Sequence, residues 1–409
     1  MKKEYADLLS ILGKAMHSDY TEELAQPVDW HSIVNLAKLH KILPFIVQTE
    51  MENSSFVSDS VFDYAKEVTV RQTIAQIRKT ELFNQLYMKM NEKGVFPLVM
   101  KGLACSELYG KLADYRVSGD EDILVKKEDF EKVDELLKNE GFQPDKDNLS
   151  ENQKSFIQEV TYSSRATDLR IEVHLNIMGT EDALRIKMNE YFEDVFSVFR
   201  EIDSDGVKFR TLTHTKHFLF IVFHALKHMT VSGFGIRMVC DILLYLEKYG
   251  EEIDLDYVYN ALEEVNAVLF FEDLIYIGNK YLGFNLPVRG EKNCPEDLLN
   301  DILESGIYGN YSQARRTSVH MVHMAFSERK ASSKFGKAGL IFDSVFPTKD
   351  KFRESRPEID EKPWLIVSEY LKRIGRFLSH SKNSGGNLAS ESMKIGEQRI
   401  ELLKKYKIL

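Results

Sequence analysis

Ser118-Gly119-Asp120-Glu121-Asp122-Ile123-Leu124-Val125 concentrates the chemistry of this chain. Two carboxylates one residue apart run directly into a short apolar segment. On an extended strand, side chains alternate between faces, so Asp120 and Asp122 point the same way. Like charges held side by side repel each other and disfavour joint ionisation. A strand presenting such a pair commonly neutralises it with a divalent cation, an arrangement that suits Mg²⁺ held against a phosphate-bearing substrate.

The flanking residues extend the pattern in both directions. Upstream, Val95-Phe96-Pro97-Leu98-Val99-Met100 is a short apolar strand ending in Lys101-Gly102. A helix from Leu103 to about Gly110 and a polar loop to Ser118 follow. Downstream, Phe130, Val133, Leu136 and Leu137 give the next helix an apolar face, and Gly141 ends it. Two extended stretches, Phe156–Ser163 and Asp168–Asn176, are separated by Ser164-Arg165-Ala166-Thr167 and predict an antiparallel hairpin. Strand, helix, strand, helix, hairpin describes a small mixed-sheet domain over 94–205.

In Asp168-Leu169-Arg170-Ile171-Glu172-Val173-His174-Leu175 the polar residues Arg170, Glu172 and His174 share one face and the apolar ones the other. Such alternation sets one face on a core and the other toward solvent or a cleft. With that polar face toward Asp120 and Asp122, Glu172 supplies a third carboxylate. Asp168 competes for the role by parity, but sits at the turn end of the strand. Three acids from two strands make a site for two ions, one at the attacking oxygen and one on the triphosphate.

The remainder reads as helix. Over 1–93, Leu8, Leu9, Leu12 and Met16, then Ile33, Leu36 and Ala37, then Leu82, Phe83, Leu86, Tyr87 and Met90 recur at helical spacing, with Gly94 as the stop. The helical period returns from about 206, giving a C-terminal helical region over 206–378. Residues 379–409 read as a Ser/Gly/Asn linker before a last helix. The fold class expected is α+β, a small mixed-sheet domain embedded between N-terminal and C-terminal helical regions.

Composition narrows the class. With 409 residues, two or three domains are the natural expectation. A net charge of −10 does not favour nucleic acid as a partner. Cys105, Cys240 and Cys294 are too widely spaced for a disulfide framework or a cysteine zinc site and fit a reducing, cytoplasmic setting. The N-terminus is charged, and the most apolar run, Phe218 to Phe223, falls far short of the ~20 residues of a membrane span.

Lys101-Gly102, Arg116, Asp120-x-Asp122-Ile123-Leu124-Val125 and Glu172-Val173-His174 together resemble the uncharacterised nucleotidyltransferase family of the polymerase-β-like superfamily. The likeness extends to His224, His228, Arg237 and Asp241, and upstream from Trp30 through Phe45. It implies transfer of a nucleotide from an NTP with Mg²⁺ (two ions, with Mn²⁺ as substitute), Asp120, Asp122 and Glu172 acting as catalytic and metal-binding residues. Lys101, Gly102 and Arg116 are the expected nucleotide contacts; Lys101 and Arg116 equally suit surface neutralisation of the local acids. Arg170, His174, His224 and His228 are candidate substrate contacts.

This chain departs from the superfamily in one respect. Gly102 is followed by Leu103 rather than Ser, and Ser118-Gly119 lies too close to Asp120 to grip a triphosphate. Lys101 and the amides opening the next helix are expected to replace that grip, since a helix N-terminus favours anions. His224-Ala225-Leu226-Lys227-His228 sets two imidazoles one turn apart, yet lacks the Glu a zinc protease needs after the first His. With Arg237 and Asp241, these histidines are expected to brace the helical region against the catalytic one, a supporting role in nucleotide or acceptor binding being the alternative.

Two functions follow. The first is a nucleotidyltransferase moving an NMP to an unidentified hydroxyl or phosphate acceptor, small or macromolecular, with release of pyrophosphate. A toxin modifying RNA ends or a protein is a variant of it, the RNA form weakened by the acidic charge. The second is a weak or inactive relative that binds a nucleotide or partner as a regulator.

Overall fold

The structure, a computed structural model, describes residues 1–17, 28–51, 57–147, 149–180, 182–290, 295–307, 312, 314–319, 322 and 388–409. Two compact units divide the chain: Met1–Lys227 with Gly235–Leu303, and His228–Phe234 with Glu304–Leu409.

The first unit is built on a seven-stranded mixed sheet flanked by helices. Its strands are β1 (Leu98–Val99), β2 (Glu121–Leu124), β3 (Gln143–Pro144), β4 (Glu159–Ser164), β5 (Thr167–His174), β6 (Phe199–Ser204) and β7 (Val207–Leu212), in the order β3-β4-β5-β2-β1-β7-β6. β4 and β5 form the expected antiparallel hairpin. β2 lies parallel to β5 and antiparallel to β1.

Helices α1 (Lys3–Met16), α2 (Trp30–Leu39), α3 (Leu43–Ile46) and α4 (Asp59–Glu92) precede the sheet. The stripes read from sequence become buried faces: Leu8, Leu9 and Leu12 of α1, Ile33 and Ala37 of α2, and Phe83, Leu86, Tyr87 and Met90 of α4. Gly94 follows α4 at φ +75, the left-handed stop that glycine adopts without strain. α4 is 34 residues long and so about 51 Å from end to end. Its C-terminal half packs with α6 (Phe130–Asn139) against Val99, Ile123, Val160, Ile171, Val173 and Phe209 of the sheet. Burying each such aliphatic or aromatic side chain stabilises the fold by about 1.5–3 kcal/mol. That core offsets the cost of holding charge on the opposite face.

Two corrections to the sequence expectations arise here. The helical period does not return at 206: Val207–Leu212 is β7, which pairs with β6 across the turn at Asp205-Gly206 and joins the sheet beside β1. The helix after Gly102 is also shorter than expected, with α5 (Leu103–Ser106) passing into a 3₁₀ stretch over Glu107–Tyr115.

Between these lie α7 (Glu151–Phe156) and α8 (Ala183–Glu190). After β7 come α9 (His214–Val231), α10 (Ile236–Tyr249), α11 (Leu255–Glu264), α12 (Val268–Tyr281) and α13 (Glu296–Ser305), and α14 (Leu388–Lys405) closes the chain. The 379–387 linker and Cys294 lie outside the described residues; Cys105 and Cys240 are buried free thiols. Among the described residues, no helix is long and apolar enough to cross a membrane.

Candidate metal and nucleotide site

The parallel pairing of β2 with β5 sets the site. Asp122 is in register with Glu172, and Leu124 with His174, so these side chains rise from one face of neighbouring strands. His174 reaches back along that face, and its Nε2 lies 3.1 Å from Asp122 Oδ1. An ionised carboxylate can only accept, so Nε2 carries the proton of that bond. One ligand atom from each of Asp122, Glu172 and His174 falls within 4.8 Å of the others, a spacing that could hold a metal ion. Glu159 of β4 faces the same group, with Oε2 3.7 Å from His174 Nε2.

Lys101 joins from the end of β1. The backbone of Met100 is held on both sides, its N–H donating to Asp122 O and its carbonyl accepting from His217 Nε2. Thus held, the chain sets Lys101 Nζ 3.6 Å from both Asp120 and Asp122. Asp120 keeps 17% side-chain exposure and Glu172 23%, while Asp122 is fully buried, so the group opens to solvent past the first two.

Electrostatics separate the acids. Burial pushes Asp122 up, but Lys101 and then the His174 hydrogen bond override it and hold the carboxyl below its usual range. Glu172 moves the other way. Burial, reinforced by the charges of Asp122, Asp120 and Glu159, pushes it up to about 9. Three buried polar atoms here have no hydrogen-bond partner: Asp122 Oδ2, Glu159 Oε2 and His174 Nδ1. Buried polar groups are nearly always paired. A bound divalent cation would satisfy such an oxygen, and the donor set fits one. Asp122, Glu172 and His174 together offer the atoms that could hold such an ion.

The expectation that α5 amides grip a triphosphate is overturned. Glu121 lies between the two aspartates and points to the opposite face, where its Oε2 accepts the Leu103 N–H at 2.8 Å. The N–H groups of Ala104, Cys105 and Ser106 donate to Lys101 O or Gly102 O. The amides opening this helix are spent on the protein's own carboxylate and carbonyls. Burial raises Glu121 to about 7, opposed by the Leu103 bond and Lys79.

Gly102 makes this contact possible. It sits at φ +64, and a Cβ built there would lie 2.0 Å from Glu121 Oε2. Gly102→Ala is therefore expected to destabilise the protein by roughly 2 kcal/mol or more, from strain and overpacking together. A urea titration of the variant checks this; an unchanged midpoint would show that the Glu121 contact is dispensable.

The other residues singled out from sequence are placed as follows. Arg116 is 1% exposed, with Nε and Nη2 on the two Asp241 oxygens at 2.9 and 2.7 Å and Nη1 on Gly102 O at 3.1 Å. Those donors serve an internal clamp that ties α10 to the Gly102 turn. Arg237 donates to Val117 O. Arg170 is exposed on β5, beside Ser163. His224 is buried on α9 next to Phe220, its ring centroid 5.7 Å away, and His228 lies one turn further along that helix, in the second unit.

Sequence reasoning missed Glu121, Glu159, and Gln76 and Lys79 of α4. Gln76 Oε1 accepts from Ser118 N–H, and Lys79 donates to Ser118 O at 2.7 Å. For Glu121 the signal was present: strand parity turns it away from Asp120 and Asp122 toward the apolar face of Ile123.

Residues 26–283 match the family described as uncharacterised nucleotidyltransferase, and the chain belongs to that family. No curated protein matches the chain. No solved structure matches it either.

Proposed function

We propose that this protein moves a nucleoside monophosphate from an NTP to a hydroxyl or phosphate acceptor and releases pyrophosphate. In this reading Asp120, Asp122 and Glu172 hold a divalent cation, Mg²⁺ or Mn²⁺. The observation that carries it is the in-register facing of Asp122 and Glu172 around a buried Asp122 oxygen that makes no hydrogen bond. When bound, the ion would lower the pKa of the attacking oxygen and neutralise charge on the triphosphate.

The chain's own residues supply position and field. His174 fixes the orientation of Asp122 through Nε2, as an outer partner does for a ligating group. Lys101 presents a cation beside both aspartates, where it can stabilise charge growing on phosphoryl oxygens. Little covalent chemistry falls to the protein, because positioning and charge neutralisation dominate this reaction class.

The occupied α5 amides favour a second reading, a nucleotide-binding regulator of low turnover. Pyrophosphate release separates the two. Each of the four NTPs is incubated with Mg²⁺, the protein and a panel of hydroxyl and phosphate acceptors, the protein itself included. Mg²⁺-dependent release with an NMP mass added to one acceptor is expected. Saturable NTP binding without release across the panel would sink the catalytic reading in favour of the regulator.

A further inference from the structure

Arg210 of β7 is a half-buried cation that the proposed reaction leaves unused. Register sets it beside Leu98 of β1 on one side and Glu201 of β6 on the other. Its guanidinium carbon lies 4.3 Å from the ring centroid of Phe96 and 4.6 Å from that of Phe199. Arginine donates in the plane of its guanidinium, so aromatic rings over its faces leave the N–H edge to a ligand. Among the described residues no acceptor takes that edge. The Arg210 side chain makes no ion pair or hydrogen bond there, even with Glu201 directly across the sheet.

The backbone around this cation is fixed in advance. The hydroxyl of buried Tyr87 donates to Pro97 O at 3.0 Å and accepts from the Arg210 N–H at 2.9 Å. One side chain of α4 thus ties the segment carrying Phe96 to the strand carrying Arg210.

A cavity of about 110 Å³ adjoins Arg210. Val95, Pro97, Leu98, Val125 and Phe196 give it apolar walls, and Lys126 and Asp129 are its other charged residues. Asp129 is compensated by Lys132 at 2.8 Å, and Lys126 lies 4.0 Å from Glu128, so the Arg210 charge stands unopposed. Along β2, buried Ile123 and Leu124 separate Val125 from Asp122, which sets the cavity apart from the metal site.

These features select the ligand. A guanidinium edge matches a planar carboxylate through two parallel bonds. A phosphate dianion would hold its remaining oxygens against apolar wall, where burial without partners is costly. The volume falls somewhat below the ~150 Å³ of a cavity that accommodates benzene, which limits the ligand to a few carbons.

We propose that this cavity binds a short aliphatic monocarboxylate, its carboxylate on the Arg210 edge and its chain against Val95, Val125 and Phe196. The site is independent of nucleotidyl transfer, so its test is binding alone.

The full chain is titrated with propionate and followed by saturation-transfer NMR. Saturable binding in the millimolar range is expected. Arg210→Gln should weaken it about tenfold or more, the loss of a charge-assisted pair. Arg210→Lys keeps the charge but not the fork and should recover only part of the affinity. Propionamide, uncharged and of the same shape, should bind about tenfold more weakly or worse. One measurement needs no variant: propionate should slow modification of Arg210 by phenylglyoxal in the wild type, mapped by peptide mass. Equal binding by Arg210→Gln, propionamide bound as tightly as propionate, or tighter binding of inorganic phosphate would each overturn the proposal. So would an Arg210 modification rate that propionate leaves unchanged.

Discussion

Asp122→Asn is expected to abolish Mg²⁺-dependent turnover, by on the order of 10³-fold or more, without unfolding the chain. The asparagine keeps a carbonyl oxygen in place of Oδ1, so the His174 Nε2–H bond survives. It loses the anionic Oδ2, which makes no hydrogen bond in the buried site and faces Lys101 at 3.6 Å. Lys101 stays compensated by Asp120 at 3.6 Å, so no isolated charge is left behind. Because Lys101 and His174 favour the ionised Asp122, the neutral asparagine forfeits that stabilisation, so the melting temperature should fall modestly while the chain stays folded. Mn²⁺ binding, read by paramagnetic resonance, should disappear together with pyrophosphate release. Retained turnover in this variant would end the metal-site mechanism.

Glu172→Gln has the second large effect, and it acts in opposite directions on binding and stability. Glu172 is pushed up to about 9 from an ordinary 4.5 by burial and by the negative charges of Asp122, Asp120 and Glu159. Between about 4.5 and 9 the folded, ion-free chain binds more protons than the unfolded chain, so stability is lost as pH rises through that window. Gln mimics the protonated acid and escapes the loss. In EDTA the variant should melt near the wild-type temperature at pH 5 and roughly 4 °C or more above it at pH 9. Its Mn²⁺ affinity should fall at least about 100-fold. In the wild type, Mn²⁺ binding at pH 7 should release about one proton, since ligands must be deprotonated. Calorimetry in buffers of differing ionisation enthalpy measures that release. Parallel melting curves from pH 5 to 9 would show that Glu172 titrates normally.

Much of the sheet was legible because strand alternation is a local property. Asp168–Leu175 separates into an apolar and a polar face by parity alone, and β5 buries Leu169, Ile171 and Val173 accordingly. The β6–β7 hairpin escaped notice for a related reason. In Phe199-Arg200-Glu201-Ile202-Asp203-Ser204 the apolar residues fall three apart, a helical spacing, because the strand lies at the sheet edge with half-exposed flanks. The Asp205-Gly206 turn and the alternation of Val207, Phe209 and Thr211 were the available signals.

The site was legible in part. That Asp120 and Asp122 share a face follows from the covalent geometry of an extended chain, whatever the rest of the fold does. Glu172 facing Asp122 required a parallel register that no local pattern encodes. Glu121 under Gly102 and Arg116 locked to Asp241 depend on contacts between elements distant in the chain. Side-chain parity is settled residue by residue along the backbone. Which charges meet, and which are already spent on the protein itself, is settled only when separate elements pack and buried groups must find partners.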